Sequence, residues 1–332
     1  REWGSHCVEK LHGMFALAVW DMRKKSLFLA RDRCGIKPLY WSHNDHHIRF
    51  ASNLQALLAA GEVDTSIDAA GLHFLYTLHA VIPAPRTILQ GVRKLEPGHW
   101  MLVDASGGVT SERYWQLEAT RPDSPLTEQE WIDATHNALR HAVQTRNDIA
   151  DVPVGVLLSG GLDSSLLVAL LAEAGVSDLH TFTVGFEDQP EEKGNEFEYS
   201  DQVVERYRPD HHKFIVPNDD VLKRLPEAVD AMAEPMFGQD AVAFYLLSEQ
   251  VSRKVRVVQS GQGADEVFGG YFWYPRMLAE TSGSRLERFR KHYFDRDHDE
   301  FLHLAATPYQ QSDYTGEYIA EQLNTDAADD FL

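Results

Sequence analysis

Ser159-Gly160-Gly161-Leu162-Asp163-Ser164-Ser165 lies between an apolar run, Val152 to Leu158, and a stretch whose leucines, 166, 167, 170 and 171, recur at helical spacing. Val154, Val156, Leu157 and Leu158 read as a buried strand, and residues from Leu166 to Glu173 read as a helix. Two adjacent glycines let a backbone approach a phosphate closely, and loop amides beside a helix N-terminus favour an anion. The segment fits a loop that cradles a nucleotide pyrophosphate. Asp163 supplies the hard oxygen donor that Mg²⁺ prefers. An ordinary strand-to-helix turn also favours Ser, Gly and Asp, but it does not need hydroxyls on both sides of Gly-Gly-x-Asp. A Walker loop would end in Gly-Lys-Ser/Thr, and this one does not.

A second Gly-rich loop, Ser260-Gly261-Gln262-Gly263-Ala264-Asp265-Glu266, follows the apolar run Val255 to Val258 and continues into Phe268-Gly269-Gly270-Tyr271. Asp265 begins a further helix, and a role as its cap is the lesser reading, compatible with binding a metal. If both loops leave the same edge of a parallel sheet, Asp163 and Asp265 share one Mg²⁺ site, since Mg²⁺ takes one or two protein carboxylates and keeps positions for phosphate.

The elements that must position these loops change character along the chain. Residues 13 to 115 are strand-rich: Met14–Trp20, Leu27–Ala30, Pro38–Trp41, Ile48–Ala51 and Trp100–Val103, with a hairpin across Asp21 to Lys25 and a last strand ending at Trp115. Helical pieces cover Asn53–Ala60 and Asp68–Leu78. This order predicts α+β. The polar stretch Arg121-Pro122-Asp123-Ser124-Pro125 marks a boundary. Beyond it, a helix over Glu128–Thr145 carries Trp131, Ala134, Ala138, His141 and Ala142 along one side. Strands at 153–158, Thr181–Val184, Lys213–Val216 and Val255–Val258 then alternate with helices at Glu198–Tyr207, Asp219–Met232 and Val242–Val251. That alternation predicts α/β with a parallel sheet and ligands at the carboxyl ends of its strands. The domains expected are 1–120 and 121–332.

The chain has 332 residues, enough for two cores, with 43% hydrophobic and 25% charged residues, as in ordinary globular proteins. A net charge of −20 without a basic stripe argues against nucleic acid. Cys7 and Cys34 are the only cysteines, so neither a zinc site nor a disulfide framework is expected, and a reducing cytoplasm fits. No apolar run approaches the roughly 20 residues that span a bilayer, so no membrane partner is expected. His46-His47 and His211-His212 are neighbours in strands, where successive side chains take opposite faces, so neither pair reads as a metal site. Tyr271, Trp273 and Tyr274 read as packing or surface before substrate stacking. For Arg31 and Arg33, loop positioning and structural ion pairing are both open.

The Ser159 loop resembles that of the ATP pyrophosphatases. With TFTVGF (Thr181 to Phe186) and SGQGADEVFGGY (Ser260 to Tyr271), it looks like the synthetase domain of the asparagine synthetase family. Upstream, HGMFALAVWD, ARDRCGIKPLYW, PAPRTI and RKLEPGH look like the second half of that family's glutaminase domain, of Ntn-hydrolase type. GMP and NAD synthetases lack that N-terminal arrangement. The resemblance implies a glutamine-dependent class II amidotransferase. One domain hydrolyses glutamine, ammonia passes through a tunnel, and ATP adenylates a small carboxylic acid that ammonia attacks, leaving AMP and pyrophosphate. It is compatible with a homodimer. Carried over by position, Ser159, Gly160, Gly161, Asp163 and Ser164 would hold pyrophosphate, Leu158, Val184, Ser260 and Gly261 would line the adenosine pocket, and Asp163 and Asp265 would hold Mg²⁺.

Gln262 stands where asparagine synthetases carry Glu and the β-lactam synthetase branch carries Tyr. A glutamine can orient a substrate but cannot act as a general base, which argues against plain aspartate amidation. Asn53 likewise stands where the family usually shows Glu, and Glu234-Pro235-Met236 with Asp240 corresponds to the acceptor-binding region. FASN together with Gln259 to Pro275 resembles the branch that amidates N-acetylglutaminylglutamine. Aspartate, and a degenerate non-catalytic homologue, are the alternatives. The resemblance further implies a piece of a longer protein, inactive by itself, with the nucleophilic Cys before Arg1 and a phosphate-facing Lys after Leu332. Cys7 then reads as a buried helical thiol.

Overall fold

The computed structural model describes residues 2–118, 120, 122–187, 194–195, 197–236 and 240–324, Asp240 by its backbone alone. Arg1, Arg121, the end of the chain from 326 and the Asp240 side chain, all singled out above, lie outside the described residues. After a 3₁₀ turn over Gly4–Lys10 come β1 (Ala16–Asp21), β2 (Ser26–Arg31), β3 (Tyr40–His43), β4 (Ile48–Ala51), α1 (Leu54–Ala59), α2 (Ala69–Thr77), β5 (Arg93–Lys94), β6 (His99–Val103) and β7 (Val109–Arg113). There follow α3 (Glu128–Asp148), β8 (Val154–Leu157), α4 (Leu162–Glu173), β9 (His180–Phe186), α5 (Phe197–Tyr207), β10 (Asp210–Val216), α6 (Asn218–Ala231), α7 (Asp240–Val251) and β11 (Val257–Gln259). The last helices are α8 (Ala264–Phe268), α9 (Trp273–Ala279), α10 (Arg285–Tyr293), α11 (His298–Leu304) and α12 (Tyr314–Leu323).

By contact the chain forms two compact units. One comprises Arg1–Thr120, Met232–Gly238 and Pro275–Leu332, and the other Arg121–Ala231 and Gln239–Tyr274. The first holds two antiparallel sheets, ordered β1-β2-β6-β7 and β4-β3-β5. Leu27, Leu29, Met101 and Val103 of one sheet pack against Leu39 and Leu95, with Trp41 and Ile48 at the edge of the cluster. The two sheets agree with the α+β order read from the sequence and with the Ntn-hydrolase-type resemblance. Residues 275–332 join this unit because Leu286, Phe289, Tyr314, Tyr318 and Ile319 bury the apolar side of α2 at Phe74, Leu75 and Leu78. From the sequence, all of 121–332 was expected in one domain.

The second unit is a parallel sheet ordered β10-β9-β8-β11, with helices on both faces. Val143 of α3, Val168 and Leu171 of α4, and Val203 and Val204 of α5 cover Val156 on one face. On the other, Leu247 and Val251 of α7 cover Phe182. The chain steps outward from β8 through β9 to β10, then returns to β11 on the opposite side of β8. Crossovers that reverse in this way open a crevice at the carboxyl ends of the strands.

Three local expectations are corrected. On α3, Trp131, Ala134, Ala138 and His141 face solvent, while Leu139, Ala142 and Val143 turn inward. Alanine carries little positional signal, and Trp131 misaligned the stripe. The helix after the first Gly-rich loop begins at Leu162, not Leu166. Gly161 is its cap, with extended φ −67° and ψ 170°, so Asp163 to Ser165 form the first turn, where acidic residues suit the helix dipole. Cys7 sits half-buried in the 3₁₀ turn rather than buried in an α-helix.

Candidate functional site

The loops after β8 and β11 leave neighbouring strands and meet over one cleft of about 770 Å³. Its lining includes Leu158, Ser159, Gly161, Asp163, Ser164, Val184, Ser260, Gly261, Gln262 and Asp265, so ten of the eleven residues singled out in the sequence converge there. Gly160, half-buried, is not in the lining. Its φ of +92° is left-handed, and a Cβ there would stand 2.5 Å from the Ser200 amide nitrogen and 2.6 Å from Tyr199 Cβ. Only glycine permits both that turn and that approach.

Short hydrogen bonds set the shape of the first loop. The Ser159 hydroxyl accepts from the Gly161 N–H at 3.2 Å and lies 3.0 Å from the Ser164 hydroxyl, which donates to the Gly161 carbonyl at 3.3 Å. The hydroxyls flanking the glycines thus tie the loop to the first turn of α4, whose leading amides have no intrahelical acceptor. The second loop touches the first directly. A Cβ on Gly261 would come 2.8 Å from Asp163 Cβ and 3.0 Å from the Ser164 nitrogen. Gln262 is exposed at the rim, its amide N–H donating to the Ser260 hydroxyl at 3.2 Å.

Phe182, Phe186, Phe244 and Leu247 give the cleft an apolar wall that sequence reasoning did not pick out. Phe182 lies in the strand read from the sequence and both phenylalanines in the motif Thr181 to Phe186, and their alternation was the available signal. Phe244 and Leu247 come from α7 and carried none. Among the described lining residues there are two carboxylates and no lysine or arginine. A polyphosphate beside two carboxylates requires cations between them, and hard oxygen donors of this kind suit Mg²⁺. The residues present therefore fit ATP together with Mg²⁺.

In the first unit, Glu234 receives a hydrogen bond from the Tyr40 hydroxyl at 3.2 Å and an ion pair from Lys94 Nζ at 2.9 Å; Lys94 also donates to the Ile82 carbonyl. Burial lowers the Lys94 pKa against the pull of Glu234, while burial and the carboxylate together push the Tyr40 phenol up. Arg31 donates to the carbonyls of Gly35, Lys37 and Leu95, and Arg33 to those of Leu11 and Glu9. Both act as backbone staples. Asn53 caps α1 by accepting from the Ala56 N–H at 2.8 Å. Tyr271 and Trp273 stack on each other with ring centroids 4.1 Å apart.

A parallel sheet with a Gly-Gly-x-Asp loop between a central strand and its helix defines the second unit as an α/β domain of the pyrophosphate-loop type. Residues 134–329 match the family model for asparagine synthase, and residues 1–115 that for a glutamine amidotransferase domain. The chain belongs to the asparagine synthase family. It is 30% identical over 287 residues to asparagine synthetase (glutamine-hydrolyzing) 3 of Bacillus subtilis, a match covering 82% of this chain and 46% of that protein. Against asparagine synthetase (glutamine-hydrolyzing) 1 of the same organism it is 31% identical over 281 residues, covering 84% and 43%. The chain thus spans about half the length of the curated relatives it matches. A solved NH3-dependent NAD synthetase from Campylobacter jejuni aligns at 14% identity, over 54% of this chain and 90% of that one, with a TM-score of 0.30, too low to bear on the fold. Among the described residues, no helix is long and apolar enough to cross a membrane.

Proposed function

We propose that the protein carrying this chain is a glutamine-dependent, ATP-consuming carbon–nitrogen ligase. A carboxylate of the acceptor acid attacks the α-phosphorus of ATP, pyrophosphate departs, and ammonia from glutamine displaces AMP from the acyl group. The observation that carries this reading is the shared cleft of the Ser159 and Ser260 loops, with Asp163 and Asp265 on its wall. In it, residues 1–120 belong to the glutaminase domain and 121–332 to the synthetase domain by sequence family, although residues 232–238 and 275–332 are grouped by contact with the first unit. The amides of the first turn of α4 and the Ser159 and Ser164 hydroxyls hold the pyrophosphate. Leu158, Val184, Ser260 and Gly261 bound the adenosine. Asp163 and Asp265 would hold Mg²⁺, which when bound would supply neutralisation of phosphate charge.

Gln262 orients the acceptor or the incoming amine through its amide and takes up no proton. The resemblance of FASN together with Gln259 to Pro275, and not Gln262 by itself, favours N-acetylglutaminylglutamine as the acceptor. The names of the curated relatives favour aspartate instead. A cleft with both carboxylates in position favours catalysis over a degenerate homologue. Asp163→Asn in the full-length protein should reduce ATP-dependent pyrophosphate release by at least about hundredfold and leave glutamine hydrolysis intact. Undiminished synthesis in that variant would sink the metal assignment. A panel of acids, scored by which one drives pyrophosphate release, decides the acceptor.

A further inference from the structure

His180 opens β9 and Asp210 opens β10, and the parallel register sets them side by side. His211 turns to the other face and meets Thr181, whereas His212, two residues beyond Asp210, returns to the face of His180. Three ligand-type atoms converge there. Asp210 Oδ2 lies 3.1 Å from His180 Nδ1 and 3.3 Å from His212 Nε2, and the two nitrogens are 3.4 Å apart. Zinc bonds of ~2.0–2.1 Å at tetrahedral angles put neighbouring ligand atoms about 3.3–3.4 Å apart. The triangle therefore has the dimensions of one face of such a tetrahedron. Asp210 is 59% exposed, so the fourth corner is within reach of water.

The rings are held in this arrangement. His212 stacks on Phe182 with centroids 5.1 Å apart and on His180 at 5.7 Å. Asp178 Oδ1 stands 3.6 Å from His180 Nε2, on the far side of the ring from Asp210. That is beyond hydrogen-bond reach, so this exposed carboxylate acts on the ring by charge alone. His180 Nδ1 facing the carboxylate at 3.1 Å needs a cation between them, either its own proton or a metal ion. The other histidine–aspartate cluster, His73 with His298 and Asp313, differs in this respect. Its carboxylate is already engaged by Arg290 and by the Gly316 N–H that it caps.

We propose that His180, Asp210 and His212 form a binding site for a divalent first-row transition metal of the zinc kind, clipping the edge strand β10 to β9. Two imidazoles and one carboxylate suit Zn²⁺ rather than Mg²⁺ or Ca²⁺. The site lies at the amino ends of the strands, away from the cleft at their carboxyl ends, and stands or falls independently of the ATP reading. It also revises the sequence expectation of no zinc site, which rested on cysteines and on adjacent histidines alone.

The test is titration of the full chain, stripped by chelator, with ZnCl₂ by calorimetry and with CoCl₂ by visible absorption. One Zn²⁺ per chain and a tetrahedral Co²⁺ band are expected, both weakened by at least about tenfold in Asp210→Asn and in His212→Asn, and both retained in His298→Asn. The thermal midpoint should rise with Zn²⁺ and not with Mg²⁺. Absence of stoichiometric binding overturns the proposal. So does undiminished binding in His180→Asn/His212→Asn, or a His180 NMR titration unmoved by Zn²⁺, which would leave a proton as the bridging cation. Should His212→Asn fail to fold, the exposed Asp210→Asn decides.

Discussion

Aspartates in the two units stand in opposite circumstances. Asp32, 1% exposed, accepts the N–H groups of Phe15, Ile36 and Lys37, and Asp68, 2% exposed, caps α2 through Gly71 and pairs with Arg86. Both are saturated with donors and organise backbone. Asp163 and Asp265 are half-buried at the wall of a cleft, aligned by glycine contacts and a helix start, with no side-chain hydrogen bond or ion pair among the described residues. A carboxylate surrounded by donors holds a fold together. One positioned by the backbone keeps its lone pairs for a ligand.

This contrast can be broken most forcefully at Asp32. Asp32→Ala leaves three N–H groups without their acceptor and should cost about 4 kcal/mol of stability, measured as a lowered urea midpoint. Asp163→Asn should move the same midpoint by no more than about 0.5 kcal/mol. Equal losses in the two variants would erase the distinction.

A smaller effect is expected from His73, which burial pushes down to about 4. Its folded pKa lies below the unfolded value of 6.5, so the unfolded chain binds more protons between the two. The first unit should therefore keep its full stability above pH 6.5 and lose about 3 kcal/mol as the pH falls to about 4. Denaturant melts across that window check this, and His73→Leu should flatten the slope. Smaller still, Gly261→Ala would force the second loop off Asp163. It should lower kcat for pyrophosphate release roughly tenfold with the melting point unchanged; full activity would mean that the two loops need not touch.

Much of this architecture is legible in residue order because its signals are local. The alternation around β2 and β6, the Asp21 to Lys25 hairpin and the βα rhythm after residue 125 all depend on neighbours within a few positions. What escaped detection depends on distance along the chain. The packing of α10 and α12 on α2 joins segments some two hundred residues apart, and nothing near Phe74 announces Tyr318. His180 and His212 gain their meaning from a parallel register that no single strand records. Arg31 and Arg33 were ambiguous because their acceptors are carbonyls, which every residue carries. The start of α4 was misjudged because Asp and Ser serve turns and first helical turns alike.

The first unit is completed by residues 232–238 and 275–332, with the second unit threaded between. As a nascent chain leaves the ribosome, the strands of the first unit emerge before the second unit, yet the helices that cover α2 are made after it. The second unit, whose parts span 121–274, has its whole sheet available sooner. The unit begun before the second is thus completed only after it, and until synthesis passes about residue 323 the apolar side of α2 is a surface for chaperones to guard.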